Sequence, residues 1–201
     1  MANERPSFWI VAGPNGSGKS SLYGNTDIAA FNNSIWIINP DLLTGRLQEV
    51  ESLPLQEANR QAVTRIETWL DASIAVYQTI GVETVLSTGK YRRLVTEAKR
   101  RGFAFRLIFV MLETVELNIE RVRIRVEKGG HDVPEDRIRS RWGRSLEQLP
   151  WFLDAADQAA LYDNSGTSPQ LIGRKEAEQV DIDPSAPAAL WPALGLSKPG
   201  T

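Results

Sequence analysis

Eight consecutive residues near the amino terminus, Gly13, Pro14, Asn15, Gly16, Ser17, Gly18, Lys19 and Ser20, carry the most legible chemistry in the chain. They match the pattern G-x-x-x-x-G-K-[ST] at every fixed position. The segment follows a short apolar run, Ser7 to Ala12, that reads as a buried strand, and it opens a predicted helix near Gly18 with Ser21 in its first turn. Backbone N–H groups of such a turn can wrap a β-phosphate, and the helix amino terminus adds partial positive charge. Lys19 would then reach the β and γ phosphates, and the Ser20 hydroxyl would ligate a Mg²⁺ bridging them. The competing reading is a glycine-rich turn without a ligand. An accidental match in a chain this long has odds on the order of one in a hundred, and the strand-to-helix context lowers them.

Transfer of a bound phosphoryl group needs a base near an acceptor hydroxyl and cations around the migrating charge. Asp41, in IINPD just beyond a second apolar run, sits where the carboxyl end of a strand would border a ligand crevice. It is either that base or a helix cap, since Asp beside a helical start commonly accepts a backbone hydrogen bond. Glu83 lies inside the apolar segment VETVLS, where an acid is costly unless Mg²⁺ water, Lys19 or an arginine pairs with it. Lys90 and Tyr91 follow that segment and either face the acceptor or are simply solvated and packed. Arg121 and Arg125 are four apart, and Arg137, Arg141 and Arg144 are spaced by four and three, so each set shares a helix face. Two such faces across the loop at 129–134 suggest a lid that closes positive charge over phosphates. Arg123 and Arg139 point elsewhere, and His131 in the loop reads as structural.

The composition narrows the classes. Apolar residues make up 42% and charged residues 24% of 201, which excludes a disordered or fibrous chain and leaves a single globular domain as the simpler expectation. Cysteine is absent, so disulfides and thiolate nucleophiles are excluded, and a reducing, cytoplasmic setting fits. One histidine leaves few metal sites. No apolar run approaches the roughly 20 residues of a membrane-spanning helix, and the amino terminus has no signal-peptide core. The net charge of −2 argues against general affinity for nucleic acid or anionic lipid. Residues 121–144 carry eight Lys or Arg against four acids, a local +4, but interleaved acids and few aromatics weaken a nucleic-acid reading of that segment too.

These residues need elements to hold them. Strands are expected at Ser7–Ala12, Ser34–Asn39, within Thr79–Ser87 and at Phe103–Leu112, with weaker ones at 158–163 and 169–173. Leu55, Ala58, Ala62, Ile66, Trp69, Ser73, Val76 and Ile80 recur at steps of three and four. They predict one long helix with Pro54 in its first turn and Gly81 at its end. Further helices are expected at 91–101, 115–127 and 134–156. Strands alternating with helices predict an α/β domain of three layers, a mostly parallel sheet covered on both faces, over residues 1–175 with the lid at about 115–150. Beyond that, four prolines in the last twenty residues predict an irregular tail over 176–201, in which Trp191 and Leu194 are the candidates to dock on the body.

Taken together, GPNGSGKS at 13–20, INPD at 38–41, ETVLSTGKY at 83–91, RVRIRVEKGGHDVPEDRI at 121–138 and YDNS at 162–165 resemble the zeta toxin family of P-loop kinases. The arginine segment running into GGHDVP is the most specific part. The resemblance implies a kinase that moves the γ-phosphate of ATP to a hydroxyl, which in toxin members belongs to the sugar of UDP-N-acetylglucosamine. It implies Lys19 and Ser20 as phosphate and Mg²⁺ residues, Asp41 as the base, and Arg125 and Arg141 as charge-stabilising arginines. It further implies Glu83, Thr88, Lys90 and Arg121 on the substrate side and Asn164 near the adenine. An antitoxin partner is compatible with the resemblance, although no segment marks a docking site for one. The rival expectations are a nucleotide-dependent switch that hydrolyses ATP slowly, and a polynucleotide kinase.

Overall fold

The computed structural model describes residues 5–25 and 35–199. A seven-stranded sheet runs in the order β2-β3-β1-β4-β5-β6-β7. Its strands are β1 (Ser7–Ala12), β2 (Ile37–Ile38), β3 (Ile80–Thr84), β4 (Ala104–Met111), β5 (Gln158–Asp163), β6 (Gln170–Glu176) and β7 (Gln179–Ile182). The first five pair in parallel, and β6 and β7 add antiparallel. The helices are α1 (Lys19–Asn25), α2 (Pro40–Glu51), α3 (Leu55–Ala75), α4 (Arg92–Arg100), α5 (Val115–Glu127), α6 (Glu135–Ala155) and α7 (Leu190–Ala193).

Alternation along the central strands explains the layers. Phe8, Ile10 and Ala12 of β1 join Phe105, Leu107, Phe109 and Met111 of β4 in the larger core, together with apolar residues of α3, α4 and α6. Trp9 and Val11, with Ile108 and Val110, face the opposite side and pack with Leu22 of α1. Both faces of a strand are thus apolar because both are covered, which is why these runs read as continuous rather than alternating. Gly81 lets β3 fit between its neighbours: a Cβ there would come within 2.3 Å of Ile37 Cδ1 and 2.9 Å of Trp9 Cβ.

Three expectations are corrected. The second strand is two residues long, and Ser34, its expected start, lies outside the described residues. The long helix α3 stops at Ala75 rather than Gly81, and Tyr77 takes a positive φ of 58° as the chain turns into β3. Pro54 stands at the cap just before the helix, its carbonyl accepting from Ala58 N at 2.9 Å. The chain after 175 is not an irregular tail. The proposed boundary falls inside β6, β7 extends the sheet, and Ala186, Leu190 and Trp191 are buried in the larger core. Burial of these apolar side chains outweighs the prolines between them.

Candidate active site

The loop between β1 and α1 can take its shape because of its glycines. Gly13 has φ 145°, and a Cβ on it would stand 2.0 Å from Val110 O of the neighbouring strand β4. Gly18 has φ 86° and would meet Asn164 Nδ2 at 2.3 Å. Asn164, at the end of β5, donates from that Nδ2 to Ser17 O at 2.9 Å, so it braces the loop rather than standing away from it. On the far side Asn118 of α5 is fully buried and donates to Asn15 O at 2.7 Å.

Lys19, the first residue of α1, reaches back to this loop, with Nζ donating to Gly13 O at 2.8 Å and Pro14 O at 3.0 Å and standing 3.9 Å from Glu83 Oε1. Burial pushes its pKa below the usual lysine value; the charges of Glu83 and Asp41 oppose that shift, and Arg125 adds to it. Ser20 Oγ donates to Glu83 Oε2 at 2.8 Å. Asn39 Nδ2 donates to the same carboxylate oxygen at 3.0 Å, while Asn39 Oδ1 accepts from Asp41 N at 2.9 Å and Leu42 N at 3.2 Å. Asn39 is therefore the cap of α2, with Pro40 at the first helical position, and the cap reading of Asp41 is corrected. Asp41 is exposed, its carboxylate left to the cleft.

One open cavity of about 790 Å³ collects these groups. Asn15, Gly16, Gly18, Lys19, Ser20 and Ser21 form one wall, and Asp41 and Glu83 stand beside them. Thr84, Val85, Ser87, Thr88 and Lys90 form a second wall, and Arg121, Arg125, Lys128 and Arg141 come from the helical side with Asn164. Gly13, Pro14 and Ser17 are the buried residues of the loop that do not line the cavity.

The lid arginines divide by what they touch. Arg123 pairs with Glu120 and Glu127, and Arg139 with Glu116 and Glu135, so both face away from the cavity as their helical phase predicts. Arg121 donates to Asn164 O at 2.6 Å and holds the 164–166 segment. Arg125 donates to His131 O at 2.6 Å, which folds the 129–134 loop back onto α5 and gives His131 its structural role through its carbonyl. Arg141 approaches Asn15 Oδ1 at 3.5 Å. Burial and the like charges of Arg137 and Arg144 lower its pKa, and Asp41 opposes them. Arg144 is exposed and outside the cavity lining.

Among the described residues no group of three or more His, Cys, Asp or Glu could hold a metal unaided. Mg²⁺ suits such a site all the same, because it is commonly bound through one or two oxygen side chains plus substrate phosphates. The Ser20 hydroxyl and Glu83 carboxylate are a hard oxygen pair of that kind. Sequence reasoning missed Asn39 and Asn118. An Asn directly before Pro and Asp at a helix start is a readable cap signal. Asn118 carries no such signal, being one polar residue on an otherwise ordinary amphipathic helix. No helix among the described residues is long and apolar enough to cross a membrane.

A sequence profile described as "AAA domain" matches residues 8–149, more than half of the chain. An uncharacterized protein of Haemophilus influenzae is 29% identical over 149 residues, covering 69% of this chain and 99% of that one. Among solved structures, the PezAT chromosomal toxin–antitoxin system of Streptococcus pneumoniae superposes with a TM-score of 0.67 at 17% identity, covering 96% of this chain and 78% of that one. AvrRxo1-ORF1:-ORF2 with ATP gives 0.69 at 14% identity over 89% of this chain, which spans 60% of the length of that one. At these identities the likeness is one of fold, and it includes a toxin–antitoxin structure, as the motif resemblance leads one to expect.

Proposed function

The chain belongs to the AAA-domain family, and we propose that within it this protein is an ATP-dependent phosphotransferase that moves the γ-phosphate to a hydroxyl of a small molecule. The carrying observation is the shared cavity: Lys19 and Ser20 of the P-loop line one space together with Asp41, Arg125 and Arg141. ATP supplies the phosphoryl group, and the AvrRxo1 structure with ATP supports that donor. Ser20 and Glu83 are the residues that would hold Mg²⁺, whose contribution is to neutralise charge on the phosphates.

Asp41 takes the acceptor hydroxyl's proton or orients it, as an exposed carboxylate fixed at the first turn of a capped helix can do. Lys19, Arg125 and Arg141 supply fixed positive charge where charge gathers on the transferred group, the main lever for a reaction governed by position and electrostatics. The wall from Thr84 to Lys90, with Glu83 at its base, takes the acceptor; Thr88 and Lys90 offer it a hydroxyl and an ammonium. The cavity volume of about 790 Å³ suits ATP with a second small molecule better than a polymer track. UDP-N-acetylglucosamine, the acceptor that the zeta resemblance implies, is the first compound to try.

Incubation of the protein with γ-labelled ATP and a small-molecule cell extract tests the reading. Label in a new, phosphorylated small molecule supports it. Release of label only as inorganic phosphate, with every extract fraction, would favour a nucleotide-dependent switch.

A further inference from the structure

The second wall of the cleft is held in an uncommon shape. After β3, Leu86 takes φ 60° with its side chain 1% exposed, a left-handed conformation that a branched apolar residue adopts only when its surroundings impose it. Its N–H donates to Thr84 Oγ1 at 3.1 Å, and Thr84 O accepts from Gly13 N at 3.2 Å, which ties the start of this wall to the phosphate loop.

The other end of the wall is tied to α6. Arg92, the first residue of α4, donates to Gln148 Oε1 at 2.9 Å, and its guanidinium lies 4.9 Å from the ring centre of Trp151. Gly89 rests on this pair: a Cβ there would come within 3.1 Å of Arg92 Nε and 3.5 Å of Gln148 Oε1. The remaining arginines of the α4 region pair with carboxylates, Arg93 with Asp71 and both Arg100 and Arg101 with Glu97. Arg92 instead binds an amide and an aromatic face on the helix that bears Arg141. Arg141 and Gln148 are seven residues apart, two turns along the same face of α6.

Resting on the kinase reading above, we infer that Arg92 is a positioning residue: it joins the acceptor wall, residues 85–90, to α6 and sets where Thr88 and Lys90 stand relative to Arg141. The planar guanidinium suits this task, since it stacks on Trp151 and donates in a fixed direction at once. Without it, Gly89 loses its support, and an acceptor held by the wall no longer meets the phosphate at the angle that Arg141 serves. Misplacement of about 1 Å can cost on the order of 10²-fold in rate.

The test compares Arg92→Leu, Gln148→Leu and Gln148→Glu with the unaltered protein. Label from γ-labelled ATP is counted separately in small molecules of a cell extract and in inorganic phosphate, and affinity for a fluorescent ADP analogue is measured alongside. Arg92→Leu and Gln148→Leu should each lower transfer by about 10- to 100-fold while ADP affinity changes by less than about threefold. Gln148→Glu should retain transfer, because a carboxylate accepts from Arg92 as the amide does. Unchanged transfer in Arg92→Leu would overturn the inference, as would a parallel fall in ADP affinity, the mark of a merely structural role. If Arg92→Leu does not fold, the contrast between the two Gln148 variants decides. Absence of transfer by the unaltered protein would instead remove the kinase reading, and this inference with it.

Discussion

Ser20 Oγ donates to Glu83 Oε2 at 2.8 Å, joining the last residue of the phosphate loop to an acid inside the central sheet. Two other donors converge on that carboxylate, Asn39 Nδ2 at 3.0 Å and the more distant Lys19 Nζ at 3.9 Å. A buried acid thereby gains partners that offset its desolvation, and it orients the hydroxyl that would meet a cation.

Glu83→Gln should consequently raise the Mg²⁺ concentration needed for half-maximal ATP turnover by about 10- to 100-fold. A magnesium titration at saturating ATP reads this directly. An unshifted midpoint would leave Glu83 as a structural partner of Asn39 and Ser20 only.

Lys19 should give opposite pH responses in stability and in binding. Its folded-state pKa is lowered, chiefly by burial, so the unfolded chain binds more protons between that lowered value and the ordinary 10.5. Stability of the nucleotide-free protein therefore gains from this group as pH rises through that interval. Affinity for ADP should fall over the same interval, because only the ammonium attracts phosphate. Lys19→Met should abolish both trends in paired melting and ADP titrations, and its ADP affinity at neutral pH should be roughly 10- to 100-fold weaker.

The carboxyl-terminal segment should be required for stability. Trp191 is 5% exposed, and its indole donates to Ala186 O at 3.3 Å. Trp191→Ala should cost about 3 to 5 kcal/mol, read as a lower midpoint in urea. A loss under about 1 kcal/mol would mean that the docked segment is dispensable.

How much of this was legible depended on the kind of signal. The first strand has the predicted bounds, Ser7–Ala12, because an apolar run ended by Gly and Pro has few alternatives. The phase of α5 and α6 separated Arg125 and Arg141 from Arg123 and Arg139, because helical spacing fixes which side chains share a face. The fold class followed from the alternation of elements. Lys19 was among the partners expected for Glu83, and the two stand 3.9 Å apart. By contrast, the bonds of Ser20 and Asn39 to Glu83 and the brace of Asn118 on Asn15 join residues 44 to 103 positions apart, and local pattern carries no record of such pairings. Trp191 and Leu194 were singled out as docking candidates, yet the proline-rich stretch around them read as an irregular tail until the core that receives it was in view.

The most direct test is Asp41→Asn, assayed for labelled small-molecule product and for ADP affinity in parallel. The substitution keeps the shape of α2's first turn and the Asn39 cap while removing the carboxylate. Product formation is expected to fall by roughly 10² to 10⁴ with ADP affinity nearly unchanged. Undiminished product formation would contradict a proton-accepting Asp41 and the cleft chemistry built on it.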